Sequence, residues 1–279
     1  MRHTHWTTLA SAALLMACAA CTREGDARER ATASAHVVTI TAADFSYQAP
    51  ASIPAGLTTL RLVNRGTELH HLQLVRIAEG HTFQELMEGM KNPGPPPPWV
   101  TFVGGPNTPA PGGQTEATLD LAPGTYAVLC MIPSTDGVPH AMKGMVKPLT
   151  VTPATSRANG AAPDARMTLR DYSYEISPAI TAGRRTIRVD NAAAQPHEVV
   201  VVRLAPGKSA ADMLAWLAKM QGPPPGMPVG GTTLLSQGAS NDVTATFQPG
   251  EYALLCMAPD AADGKPHVAH GMVRQITVR

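Results

Sequence analysis

Charge and aromatic rings are both scarce in this 279-residue chain: Asp, Glu, Lys and Arg make up 15% of it, and Phe, Trp and Tyr only 4%. The 22 basic and 21 acidic residues are interspersed and leave a formal net charge of +1. That balance lacks the basic stripe that nucleic acid or an anionic membrane surface selects, so neither is expected as a partner. Long hydrophobic runs are also missing: the one sizeable apolar stretch, residues 9–20, is too short to span a bilayer. No paired carboxylates, phosphate-binding loop or nucleophile elbow stands out, which disfavours acid–base hydrolysis and phosphoryl transfer. Cysteine is reduced to four, two of them at positions 18 and 21, so the body of the chain holds only Cys130 and Cys256.

The N-terminus reads as a targeting segment. Arg2, His3 and His5 form a polar head, and the short apolar run is followed by small residues, which predicts a cleaved export signal over 1–21. LMAC at 15–18 and CAAC at 18–21 both resemble a bacterial lipobox. Leu15, three residues before Cys18, favours Cys18 as the lipidated residue, with Cys21 the alternative. An ordinary secretory signal with incidental cysteines is the plainer reading. Residues 22–36 are polar, charged and Ala-rich, as a flexible tether is. A periplasmic or cell-envelope location is therefore expected, with the membrane reached only through an N-terminal lipid anchor.

What the chain has in quantity is punctuation, with 24 glycines and 26 prolines, and it has an internal repeat. GTYAVLC at 124–130 returns as GEYALLC at 250–256, and GMVKPLTV at 144–151 returns as GMVRQITV at 271–278. Asn64 precedes His70 by six residues, as Asn191 precedes His197. The offset is 127 from His70 to His197, 126 from Cys130 to Cys256, and 127 for both His140 to His267 and Met145 to Met272. So long and constant a period marks domain duplication rather than a solenoid. The expected organisation is one domain over 37–151, a linker over 152–165 and a second domain over 166–279.

Short β-branched or alternating segments at 37–41, 58–63, 72–77, 117–121, 125–131 and 145–151 predict strands. The fold class is thus all-β: two tandem Greek-key barrels or sandwiches. One helix is inserted in each. Phe83, Leu86, Met87 and Met90 have helical spacing, repeated by Met213, Trp216, Leu217 and Met220, and Thr82 with Glu85 forms a capping-box pattern. Methionine at helical period is read as packing, not as metal ligation. The Pro-rich runs at 93–98 and 223–225 impose extended chain.

Each copy offers the same four side chains: His70, Cys130, His140 and Met145 in the first, His197, Cys256, His267 and Met272 in the second. Two imidazoles and a thiolate, with a weak thioether on the axis, form a donor set soft enough for Cu(I) that still holds Cu(II). At these residues the chain resembles the cupredoxins. Tyr126-x-x-x-Cys130, His140-x-x-x-x-Met145 and the strand that follows are similar to the ligand loop and last strand of plastocyanin and pseudoazurin. Asn64 leading to His70 resembles the segment presenting their first His. The resemblance implies a type 1 copper in each copy, up to two per chain, and electron exchange with partners such as cytochromes or oxidases.

Two departures matter. Nine residues separate Cys130 from His140 and ten separate Cys256 from His267, a long loop similar to that of copper nitrite reductases. Those enzymes and the multicopper oxidases carry a His beside the Cys, where this chain has Leu129 and Met131, or Leu255 and Met257. The expectation is therefore an electron-transfer protein that is not an enzyme. The alternatives are a periplasmic copper buffer or carrier without redox traffic, and a metal-free duplicated barrel serving as an interaction module. An inert buried Cys in each core is the bland reading, and a Cys130–Cys256 disulfide would need equivalent strand ends to meet at bonding distance. His71 and His270 are expected as surface imidazoles rather than ligands.

Overall fold

The computed structural model describes residues 1, 3, 35–92, 94–154 and 160–279. Cys18 and Cys21 with nearly all of the export segment and tether, and the centre of the 152–165 linker, lie outside the described residues. Among the described residues no helix is long and apolar enough to cross a membrane.

In the first half the chain forms β1 (His36–Ala43), β2 (Ser46–Gln48), β3 (Ser52–Pro54), β4 (Gly56–Asn64) and β5 (Gln73–Ile77). Helix α1 (Phe83–Gly89) follows, then β6 (Val100–Gly104), β7 (Gln114–Leu121), β8 (Gly124–Leu129) and β9 (Val146–Thr152). The second half opens with β10 (Ala165–Arg170), β11 (Ser173–Ser177), β12 (Gly183–Asn191) and β13 (His197–Leu204). It continues with α2 (Ala210–Leu217), β14 (Gly226–Leu235), β15 (Ser240–Phe247), β16 (Gly250–Leu255) and β17 (Val273–Val278).

Side-chain alternation explains the layering. Val38, Ile40 and Ala42 of β1 and Leu60 and Leu62 of β4 point to one face and are buried, as a period of two requires. Facing side chains from the two sheets then form a separate apolar core in each half. One core is built around Ile40, Leu60, Leu74, Val128 and Leu149, the other around Leu169, Val189, Val201, Leu254 and Val278. Tyr126 and Tyr252 are fully buried, and each donates its hydroxyl to a carbonyl of the turn before its strand, Ala122 O at 2.8 Å and Gln248 O at 3.0 Å. A buried phenol needs such a partner.

The chain changes sheet after β2, β3, β4, β6 and β7, again between β9 and β10, and then after β12, β14 and β15, which is Greek-key connectivity. The eight-stranded sheet has the order β11-β10-β12-β15-β7-β4-β1-β2, and the nine-stranded sheet β17-β16-β13-β14-β6-β5-β8-β9-β3. Both sheets run through both halves. Ala117 of β7 lies opposite Val243 of β15, and Val103 of β6 opposite Leu235 of β14. Pairing edge to edge covers backbone groups that would otherwise be open edges.

Both inserted helices are present and start at capping boxes, Thr82 with Glu85 as expected and Ser209 with Asp212. Leu86 packs with Val75, Ile77 and Leu129, and Met213 with Val202, Leu204 and Leu255. Met220 departs from the expected stripe. α2 ends at Leu217, and Met220 lies beyond it, exposed and with a positive φ of 47°. The short strands β2, β3 and β6 were not expected, because segments of three to five residues carry too little periodicity to detect.

Candidate metal centres

Each centre forms where β8 and β9, or β16 and β17, leave the sheet side by side. Cys130 follows directly on β8, and its N–H donates to Met145 O at 3.1 Å. His140 opens a single 3₁₀ turn whose start is tied back by His140 N–H to Ile132 O at 2.9 Å and Ala141 N–H to Cys130 O at 2.7 Å. The second half repeats these bonds at Cys256, His267, Val268 and Met272. The long Cys–His loop does not carry the second imidazole away. It folds into a small hairpin closed by the bridges Pro133–Pro139 and Pro259–Pro266, so its extra residues project outward.

The donor atoms converge. In the first centre His70 Nδ1 lies 3.1 Å from His140 Nδ1, and Cys130 Sγ lies 3.6 Å from His140 Nδ1. In the second, His197 Nδ1 and His267 Nδ1 are 2.9 Å apart, and Cys256 Sγ is 3.8 and 3.5 Å from them. All six side chains are fully buried, as are Met145 and Met272, which belong to the same cores as the cysteines. Donors bound to one first-row ion at about 2.0–2.3 Å lie roughly 3–4 Å apart. The two N, N, S sets already stand at those separations, so their geometry and softness fit a copper ion.

The outer nitrogens are held by groups that sequence reasoning missed. His70 Nε2–H donates to Asp44 Oδ1 at 3.0 Å, His140 Nε2–H to Glu68 Oε2 at 2.9 Å and His197 Nε2–H to Asp171 Oδ1 at 2.9 Å. A proton on Nε2 leaves the Nδ1 lone pair facing inward, the form that binds a metal. His267 Nε2 has no hydrogen-bond partner and lies 3.6 Å from Asp260 Oδ2. The His70 imidazole holds the Asp44 carboxyl well below the usual range. Burial depresses His70, His197 and His267, keeping them neutral. Burial also pushes the thiol of Cys130 up to about 11 and that of Cys256 up to about 12, so only a bound cation makes them thiolates near neutrality.

An aromatic ring covers each second histidine. Phe45 meets His140 edge-on with centroids 5.2 Å apart, and Tyr172 meets His267 at 5.4 Å. Both rings sit at φ 62°, a left-handed conformation that L-residues avoid. Two residues on, the hydroxyls of Tyr47 and Tyr174 donate to the carbonyls of His71 and Glu198. The signal was present: DFSY at 44–47 recurs as DYSY at 171–174, the same offset of 127.

His71 corrects an expectation. It is buried rather than at the surface, because its Nε2 accepts the N–H of Met131 at 2.9 Å. His270 is exposed, as expected, and pairs with Asp263 at 3.1 Å, matching Lys143 on Asp136 at 2.7 Å in the first half. Cys130 and Cys256 are free thiols, each in its own core.

No protein-family model matches the chain, and no curated protein sequence does either. Among solved structures it is similar to dithionite-reduced auracyanin from the photosynthetic bacterium Roseiflexus castenholzii, at 25% identity over 43% of this chain and 100% of that one, TM-score 0.30. It is similar to the blue copper oxidase of Nitrosomonas europaea at 15% identity, over 88% of this chain and 86% of that one, TM-score 0.27. The copper-containing nitrite reductase of Thermus scotoductus matches at 13% identity, over 88% of this chain and 62% of that one, TM-score 0.26. The last two are enzymes, which overturns the expectation that this chain is not one. Residues beside the cysteines bear on a single way of building a catalytic centre, and one fold hosts both carriers and enzymes.

Proposed function

We propose that this chain is an exported copper-binding electron-transfer protein with a His₂–Cys–Met copper in each of two domains, 37–151 and 166–279. One observation carries the reading: in each half two imidazole Nδ1 atoms and one cysteine sulfur, all fully buried, lie within 4 Å of a neighbour in the set. Copper bound there would supply one-electron chemistry; His70, Cys130, His140 and Met145 would hold one ion, and His197, Cys256, His267 and Met272 the other. The protein's own contribution is rigidity. Sheet-anchored ligands, carboxylates on three of the four outer imidazole nitrogens and a water-excluding core limit rearrangement between the two oxidation states.

Leu69, Met131, Val138 and Met142 are exposed next to or near ligands of the first centre, and Tyr172 and Met257 near those of the second. Such apolar surface suits brief docking of redox proteins such as cytochromes or oxidases. Residues 1–21 direct export, with Cys18, or Cys21, as the lipid anchor at the periplasmic or cell-envelope face.

Copper titration of the mature chain, followed by metal content and visible spectrum, tests the reading. Up to two coppers per chain with an intense thiolate-to-Cu(II) band are expected, and Cys130→Ser or Cys256→Ser each removes one. Colourless Cu(I) uptake without that band overturns the electron-transfer reading in favour of a carrier. No uptake overturns both.

A further inference from the structure

The two halves cross at a pair of segments related by the internal repeat. Gly104-Gly105-Pro106-Asn107 of the first half corresponds to Gly230-Gly231-Thr232-Thr233 of the second. The crossing is reciprocal in the main chain, with Asn107 N–H donating to Gly231 O at 3.1 Å and Thr233 N–H to Gly105 O at 3.0 Å. It is nearly reciprocal in the side chains: Asn107 Nδ2 reaches Val199 O at 3.3 Å, and Thr233 Oγ1 reaches Leu72 O at 3.2 Å.

The symmetry breaks at the remaining bonds of the Asn107 side chain. Asn107 Nδ2 also donates to Glu198 Oε2 at 3.1 Å and to Thr232 O at 3.1 Å, while Asn107 Oδ1 accepts from Thr108 N–H at 2.8 Å and Thr108 Oγ1 at 3.0 Å. Thr233 makes no corresponding bond to His71. Glu198 directly follows His197, its Oε1 accepts Met257 N–H at 3.2 Å, and its own N–H donates to Cys256 Sγ at 3.5 Å. Asn107 is 1% exposed and Glu198 5%, so water does not substitute for either partner.

We propose that Asn107, a residue of the first half, is a positioning residue for the second metal centre, acting through Glu198, whose carboxylate ties the residue after His197 to the N–H of the residue after Cys256 and whose own N–H reaches the Cys256 sulfur. The proposal rests on the copper reading of that centre. Outer-layer groups of this kind are worth about 10–100-fold in metal affinity. The dependence runs one way, since the first centre receives no equivalent support from the second half.

The test uses full-length chains that retain one centre each, Cys130→Ser to isolate the second and Cys256→Ser to isolate the first. Asn107→Ala and Asn107→Thr are introduced into both backgrounds. Threonine is what the second half carries at the matching place, so this crossing tolerates it. In the Cys130→Ser background both variants are expected to weaken copper retention against a chelator by roughly tenfold or more and to shift the thiolate-to-Cu(II) band. In the Cys256→Ser background both are expected to leave band and affinity unchanged. Equal effects in the two backgrounds, or none in either, overturn the proposal. If the Cys130→Ser chain takes up no copper even with Asn107 intact, the copper reading of that centre has failed and this inference falls with it.

Discussion

His71 and Glu198 stand at the same place in the two halves and do the same task with opposite chemistry: each accepts the N–H of the methionine after the cysteine, Met131 at 2.9 Å and Met257 at 3.2 Å. Burial pushes the His71 imidazole down to about 3 and the Glu198 carboxyl up to about 7. In the metal-free protein these shifts act in opposite directions on stability. His71 is depressed in the folded state, so its contribution is lost as pH falls from the unfolded value near 6.5 toward 3, by up to about 5 kcal/mol. Glu198 is raised, so its contribution is present below the unfolded value near 4.5 and lost as pH rises through about 7, by about 3 kcal/mol. Denaturant midpoints between pH 4 and 8 check both. His71→Gln is expected to flatten the acid limb relative to wild type, and Glu198→Gln the neutral limb. Parallel curves for wild type and either variant would contradict the assignment.

At the crossing of the halves, two glycines lie too close to the neighbouring strand of their own half to carry a side chain. A Cβ on Gly231, at φ 125°, would lie 1.9 Å from Val199 O, and one on Gly105, at φ 135°, would lie 2.3 Å from Leu72 O. Gly231→Ala is expected to destabilise the fold by about 3 kcal/mol or more. Gly207→Ala, at φ 75° with open space around it, isolates the backbone effect and should cost about 1 kcal/mol. Similar losses for the two in chemical denaturation would count against the close approach.

Phe45 offers a way to separate strain from cover. Phe45→Gly and Phe45→Ala both uncover the His140 ring, but only glycine relieves the left-handed φ of 62°. The glycine variant should be the more stable of the two by about 1 kcal/mol, and both should lose copper to a chelator faster than wild type. Unchanged release would show that the ring does not restrict access.

Asn64 shapes the loop that delivers two groups to the first centre. Its side chain donates to Glu68 O at 2.9 Å and accepts Gly66 N–H at 2.9 Å, while Glu68 reaches His140 and the loop ends at His70. Asn64→Ala leaves these half-buried groups unpaired and is expected to cost about 1 kcal/mol. A thermal scan with and without copper should show a larger deficit in the first centre's contribution than in the second's.

Much of the centre was legible along the chain. Constant offsets picked out His70, Cys130, His140 and Met145 with their partners 126 or 127 residues later, and the structure brings the two imidazoles and the sulfur of each set to one point. The carboxylates Asp44, Glu68 and Asp171 and the rings of Phe45 and Tyr172 were not singled out, although the DFSY and DYSY repeat was there to be read.

The sequence alone determined what depends on neighbours in the chain: alternating strands, turns at Gly and Pro, the capped helices and the duplication itself. These arise from backbone sterics and from hydrogen bonds closed within a few residues. Tertiary structure decided that β7 pairs with β15 and β6 with β14, that His71 is buried, and that Asn107 meets a carboxylate 91 positions away. Such contacts form where sheet edges and packed faces happen to coincide, and no local pattern encodes a meeting between residues so far apart.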